Sequence, residues 1–149
     1  MMKSPAALHT AFFRVAIGLI AIAPLAACRH AHRTPAPPAI DWRTSPLDLN
    51  LRGMNGKSYL FRCPAGKPAP ESVTGSGVYT DASSICAAAA HAGAIDAQRG
   101  GVVMIQILPG RDGYLGTTQN FIHSADYAHA WGGSFAVLSA DDFASRRRP

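Results

Sequence analysis

One segment restricts what this chain can fold into more than any other: Ile85-Cys86-Ala87-Ala88-Ala89-Ala90-His91-Ala92. Asp81 or Ser83 can cap a helix here, because either side chain can accept a free N–H of the first turn. Gly93 can close it in the left-handed conformation. The residues between are apolar or small on nearly every side, so the expected helix is buried on more than one face. Alanine also lets neighbouring strands approach closely.

The rest of the chain must supply those neighbours, and it reads as strands. Val102-Val103-Met104-Ile105-Gln106-Ile107-Leu108 is apolar on both faces and is expected as a central strand. Lys57 to Arg62 reads as a strand with Tyr59 and Phe61 on one side and Leu60 on the other. Shorter extended pieces are expected at Gly75–Thr80, at Tyr114-Leu115 and at Ser134–Leu138. Leu47, Leu49 and Leu51 alternate with polar residues, a strand signal that a short helix also fits. Asn55-Gly56, Pro109-Gly110 and Asp112-Gly113 are turn signals. One helix among several strands, without regular βαβ alternation, predicts an α+β fold.

The first residues carry a targeting signal. Lys3 and Arg14 precede the apolar stretch Val15–Ala23, which is shorter than the ~20 residues of a membrane span. Leu25-Ala26-Ala27-Cys28 follows and resembles the lipobox of bacterial lipoproteins. That resemblance implies a signal peptide over 1–27, cleavage before Cys28, a diacylglycerol thioether on Cys28, and a further acyl chain such as palmitate. Arg29 after the cysteine leans towards an outer-membrane location facing the periplasm, because Asp there often retains such proteins at the inner membrane. Residues 28–44 then form a lipidated, Pro-rich tether with Pro35, Pro37 and Pro38. Its coil reach is about 22 Å. The folded part is expected over 45–143, with a basic tail over 144–149.

Cysteine and charge counts bear on this organisation. The chain has 3 Cys, and if Cys28 carries lipid, Cys63 and Cys86 remain as one pair in an oxidising envelope. The net charge of +5 hints at nucleic acid, but its distribution does not. Between Ser45 and Phe143 there are six Lys/Arg and eight Asp/Glu, a net −2. No basic face is expected, and no nucleic-acid partner.

Several segments together resemble the LCCL domain family. They are Cys63-Pro64, Gly75–Asp81, Ser83-Ser84-Ile85-Cys86, Ala88–Gly93, Gly100–Val103, Pro109-Gly110, Tyr114–Gly116, Gln119-Asn120, and Trp131 with Ser134-Phe135. The resemblance implies a central helix embraced by β-sheets, with Cys63–Cys86 as part of the scaffold. It also implies an extracellular, non-enzymatic module. Lipids, lipopolysaccharide or other surface glycans have been suggested as ligands of the family. The chain departs from it at Phe121, where relatives often carry Gly after the Asn. Phe cannot take a positive φ as cheaply, so a reshaped turn is expected.

Catalytic patterns are weak. Ser83, Ser84, His91, Asp81 and Asp96 supply hydrolase residue types, but capping explains the serines and there is no Gly-x-Ser-x-Gly elbow. His91, near the helix end, is read first as a buried, hydrogen-bonded histidine. His123 and His129 as metal partners match no zinc spacing, so no metal or cofactor is expected. Gly75 and Gly77 read as a turn rather than a nucleotide loop. Tyr79 and Trp131 are expected in the core. His91, Asn120, Tyr127, Arg111 and His123 are the candidate structural or ligand residues, the last three on surface loops. The expected role is a membrane-tethered binding module for a lipid, glycan or protein; the alternative is a structural component held by envelope proteins.

Overall fold

The 102–108 run becomes β4 (Gly101–Arg111), which has a hydrogen-bonded partner on each side. The computed structural model describes residues 35–69 and 72–138. The signal peptide, Cys28 and the basic tail fall outside the described residues. Before β4 come β1 (Ser58–Cys63), β2 (Gly75–Ser76), β3 (Val78–Thr80) and α1 (Ile85–His91). After it come β5 (Thr118–Gln119), β6 (Ile122–His123) and β7 (Trp131–Leu138). Five strands make one sheet in the order β1-β4-β7-β3-β2, every pair antiparallel, and β5-β6 is a separate hairpin. The described chain is mostly strands with one short helix.

Register explains which face is buried. Tyr79 lies opposite Phe135, and Phe135 opposite Ile107. Val103, Ile105 and Phe61 join them on the same face, and α1 packs there with all seven of its residues buried. The opposite face of β4 stays partly open: Met104 and Leu108 are half-buried and Val102 is 51% exposed. An apolar strand thus had the expected partners on both edges but cover on one face only. α1 contacts both β4 and β6 of the hairpin.

Cys63 ends β1 and Cys86 lies in the first turn of α1; the two are bonded, with Cα atoms 5.6 Å apart. The bond ties the edge strand to the helix across a sequence separation of 23. In the chain-entropy view, such a loop contributes about 3 kcal/mol.

Several local expectations shift. The helix N-cap is Ser84, whose Oγ accepts the Ala87 N–H at 3.1 Å. Asp81 and Ser83 are diverted to tertiary bonds, which leaves the cap one residue later. The C-terminal end follows the expected pattern: Gly93, at φ +75°, donates to Ala90, and Ala94 donates to Ala89. These are the paired bonds of a Schellman ending.

Leu47–Leu51 is a compact turn, not a strand. Leu51 N–H reaches back to Pro46 and Leu49 N–H to Ser45. Asp48 accepts from Ser45 N–H and Oγ, and these local bonds outcompete ladder formation. Pro109-Gly110 is not a turn but lies within β4, where Pro109 faces Gly133. The β1 pairing ends at Ser58, so past Leu108 that side of β4 is an edge and tolerates a residue without N–H. Tyr114-Leu115 is not a strand; Tyr114 makes an isolated bridge with Tyr127, and Leu115 is exposed. The Gly75–Thr80 piece divides into β2 and β3 about Gly77, so the Gly-x-Gly is a tight turn as expected.

The chain joins the fold before Ser45. Ile40 N–H donates to Arg62 and Arg62 N–H to Pro38, while Ile40 and Trp42 pack against the core. Proline content marked 35–44 as tether in the sequence; two apolar side chains, Ile40 and Trp42, bring its second half onto the domain.

Candidate functional site

The β5-β6 hairpin turns through two residues, Asn120 at φ 50° and Phe121 at φ 63°. Two left-handed residues between paired strands are what a tight type I′ hairpin requires. A reshaped turn was expected here because Phe121 resists a positive φ. The aromatic residue instead adopts the backbone conformation that glycine would take at lower cost, about 1 kcal/mol. Its ring gains no burial in return, because it is fully exposed.

Asn120 turns inwards. Its Nδ2 donates to the main-chain oxygen of His91 at 2.8 Å, at the C-terminal end of α1. His91 is completely buried. Its Nε2 lies 3.2 Å from both the main-chain oxygen and Oγ1 of Thr117, and its Nδ1 lies 3.0 Å from the Tyr79 hydroxyl. A carbonyl only accepts, so Nε2 carries the proton and Nδ1 accepts from Tyr79. His91 and Asn120 therefore attach the hairpin to the helix, and both act as scaffold.

Beside this attachment lies a groove of about 690 Å³. The tip residues Asn120, Phe121 and Ile122 form one wall, Gly66-Lys67-Pro68 another, and Ala90, Gly93 and Ile95–Gln98 complete it. The size is that of a small-ligand site. Asp96 is already engaged: it accepts the Gln98 N–H at 2.8 Å, and its other oxygen is 4.0 Å from Arg99. Lys67 has no such bond among the described residues. Sequence reading missed Lys67 and Ile95, since nothing in their local pattern marks them; Phe121 was noticed as a departure but not as a surface feature.

The other candidates separate. Arg111 and Tyr127 come together around Trp131: Arg111 pairs with Trp131 in the sheet, and the Tyr127 and Trp131 rings meet edge-on at 5.8 Å. His129 also meets Tyr127 edge-on, at 5.7 Å. Arg111 is at a strand end rather than in a loop. His123 is in β6, not a loop, and is exposed beside Thr118.

Trp131 is half-buried rather than fully in the core, because it serves Asp81. Its Nε1 donates to the Asp81 carboxylate at 2.7 Å, and Arg52 donates to both carboxylate oxygens at 2.6 and 2.7 Å. Arg52 also stacks over the Trp131 ring. Burial pushes the Asp81 carboxyl up, but the bonds from Arg52 and Trp131 outweigh it and hold it below the usual carboxylate value. Gly133 makes this possible, since a Cβ there would strike the Asp81 carboxylate.

The hydrolase residues do not assemble. Ser84 caps α1, Ser83 bonds Thr80 and Thr74, and His91 sits at the far end of the helix, about 10 Å along its axis. Both nitrogens of His91 are occupied by Tyr79 and Thr117. Among the described residues, no three His, Cys, Asp or Glu side chains come together.

The scaffold that surrounds this groove is shared. A family model described as the LCCL domain matches residues 40–135. The chain belongs to the LCCL domain family. The matched range begins at Ile40, one residue after Ala39, which bridges Arg62 of β1. This LCCL domain is similar to cochlin of Cavia porcellus, 47% identical over 76 residues, which is 50% of this chain and 14% of that protein. It is 40% identical to cochlin of Homo sapiens over 103 residues, 68% of this chain and 18% of the relative. It is 38% identical to vitrin of Mus musculus over 94 residues, 62% and 14% respectively. The chain thus spans less than a fifth of the length of these curated relatives.

Proposed function

We propose that this LCCL domain is a non-catalytic, extracytoplasmic binding module, held at a membrane through lipidated Cys28. The observation that carries the reading is Phe121: a fully exposed aromatic ring, kept at φ 63° on the rim of a groove. A residue that costs the fold conformational energy and gains no burial is accounted for by an outside contact. The helix buried between the sheet and the hairpin gives that rim a rigid base.

The anchoring rests on Leu25-Ala26-Ala27-Cys28, with the pairing of the other two cysteines in support. An outer-membrane position facing the periplasm fits Arg29. Two experiments test the parts separately. Metabolic labelling with a palmitate analogue should mark the chain and fail in Cys28→Ser; an unlabelled wild type removes the anchor. A photo-reactive phenylalanine at position 121 should crosslink in the envelope, whereas one at exposed Asp112, outside the groove, should not.

A second reading, a structural component held by protein partners, has its own support. Leu60, Met104 and Leu138 stand in register across β1, β4 and β7 on the partly open face of the sheet. A stable protein crosslink from Val102, with none from position 121, would favour it.

A further inference from the structure

We propose that the segment 139–143, which follows β7, docks on the uncovered end of the sheet, its Phe143 ring on Val102 and Met104 and its Asp141-Asp142 pair beside Arg62. The contact uses none of the residues that line the groove and holds whether or not the groove takes a ligand. The surface concerned is the sheet face opposite α1, and its cover changes from one end to the other. Thr80 and Ser134, paired across β3 and β7, are buried, and the Tyr114 hydroxyl lies 2.6 Å from Ser134 Oγ. Further along, Leu60, Met104 and Leu138 stand in register and are half-buried. At the far end Val102 is 51% exposed, and Arg62, its partner in β1, is exposed beside it. The uncovered part of this face is therefore one end of it.

Strand direction delivers a particular segment to that end. β7 runs antiparallel to β4 and stops at Leu138, opposite Met104, so a chain leaving Leu138 heads towards the level of Val102 and Arg62. Phe143 comes five residues later, within a reach of about 17 Å. Val102 is one strand away from β7 and Arg62 two, roughly 10 Å. Asp141-Asp142 supplies turn-forming residues between Leu138 and Phe143, and Phe143 is the one large apolar residue of 139–149. Charge agrees with this placement. Arg62 bonds Pro38 and Ile40 through its main chain, and its guanidinium makes no ion pair among the described residues. Asp141 and Asp142 are the acids of 139–149 and complement it. Patch size favours a short segment over a second copy of the chain. Leu60, Arg62, Val102, Met104 and Leu138 fall far short of the roughly 20–30 residues that each side of a stable protein interface contributes. One aromatic ring covers such a patch.

A photo-reactive phenylalanine in place of Phe143, in the full chain, tests this. After digestion with trypsin, the crosslink is expected within the same chain, on the peptide Gly100–Arg111 that carries Val102 and Met104. Oxidation by dilute hydrogen peroxide, read residue by residue in the mass spectrum, gives a second measure. Met54 is 40% exposed and serves as the reference. Relative to Met54, Met104 should oxidise about fivefold faster in Phe143→Ala, because the ring no longer shields its sulfur. Arg62→Glu should raise the same ratio about twofold, the effect of one exposed charge contact, and adding Asp141→Lys and Asp142→Lys should restore it. An unchanged ratio in Phe143→Ala or in Arg62→Glu overturns the proposal, as does a crosslink confined to other peptides of the chain. A crosslink between two copies of the chain overturns it in favour of a dimer. A crosslink to another envelope protein overturns it in favour of the partner-held reading.

Discussion

Asn120 donates its side-chain N–H to the main-chain oxygen of His91 at 2.8 Å, so a hairpin far along the sequence closes the C-terminal end of the only helix among the described residues. The same hairpin contributes Phe121 and Ile122 to the groove. The groove is therefore only as well formed as this attachment. Asn120→Ala removes one bond to a buried carbonyl, and a loss of about 1 kcal/mol is expected. Amide exchange at Gln119–His123 should accelerate more than exchange in β4, because the loss is local to the hairpin.

His91 holds the other end of the attachment. His91→Phe preserves a ring but leaves the Tyr79 hydroxyl buried without its acceptor and Thr117 without its donor. A destabilisation of about 2 kcal/mol is expected in urea unfolding. His91→Gln, which can still donate and accept, should recover part of it. Equal losses in the two variants would show that packing, not hydrogen bonding, is what the position supplies.

Asp81 sets an acid limit. Its folded carboxyl titrates below the ordinary value of 3.8. A depressed carboxyl stabilises the fold at all pH above its unfolded value, and that contribution is lost as pH falls through 3.8 towards the folded value. Wild type should lose urea stability between roughly pH 5 and pH 2, and Asp81→Asn should show a flatter profile over the same interval. At neutral pH, Asp81→Ala should cost about 2 kcal/mol. Arg52 is 41% exposed and water takes over part of its bonding, whereas Trp131 Nε1 loses its acceptor.

The Cys63–Cys86 bond restrains the unfolded chain more than it shapes the groove. Reduction, or the double variant Cys63→Ala/Cys86→Ala, should lower stability by about 3 kcal/mol. The urea midpoint with and without reductant measures it. Amide shifts at Ile95 and Ile122 should stay close to those of the oxidised protein wherever the reduced domain remains folded.

The helix was legible because its evidence is local. An uninterrupted run of small apolar residues, a serine before it and a glycine after it decide both its existence and its burial. β1, β4 and the end of β7 were legible for the same reason, since apolar residues in a strand declare themselves within a few positions. The errors share a cause. Ser45 and Asp48 bond each other and curl the leucine run into a turn. Pro109 looked like a stop only because the sequence does not show where β1 ends.

His91 was read from sequence as a buried, hydrogen-bonded residue, but its partners, and the role of Asn120, could not be named. Each depends on a partner more than ten positions away, Tyr79, Thr117 or the His91 carbonyl, and no periodicity encodes such a meeting. Lys67 was invisible for the same reason: its place in the groove is set by segments distant in sequence. Sequence by itself determined that the described residues hold a buried helix, a sheet to bury it and two cysteines able to bond. Tertiary structure decided which side of the sheet was covered, which polar groups were consumed in holding the hairpin down, and which ones were left facing the groove. Hydrophobic burial is written residue by residue along the chain, whereas hydrogen-bond and charge pairing is settled only when distant segments meet.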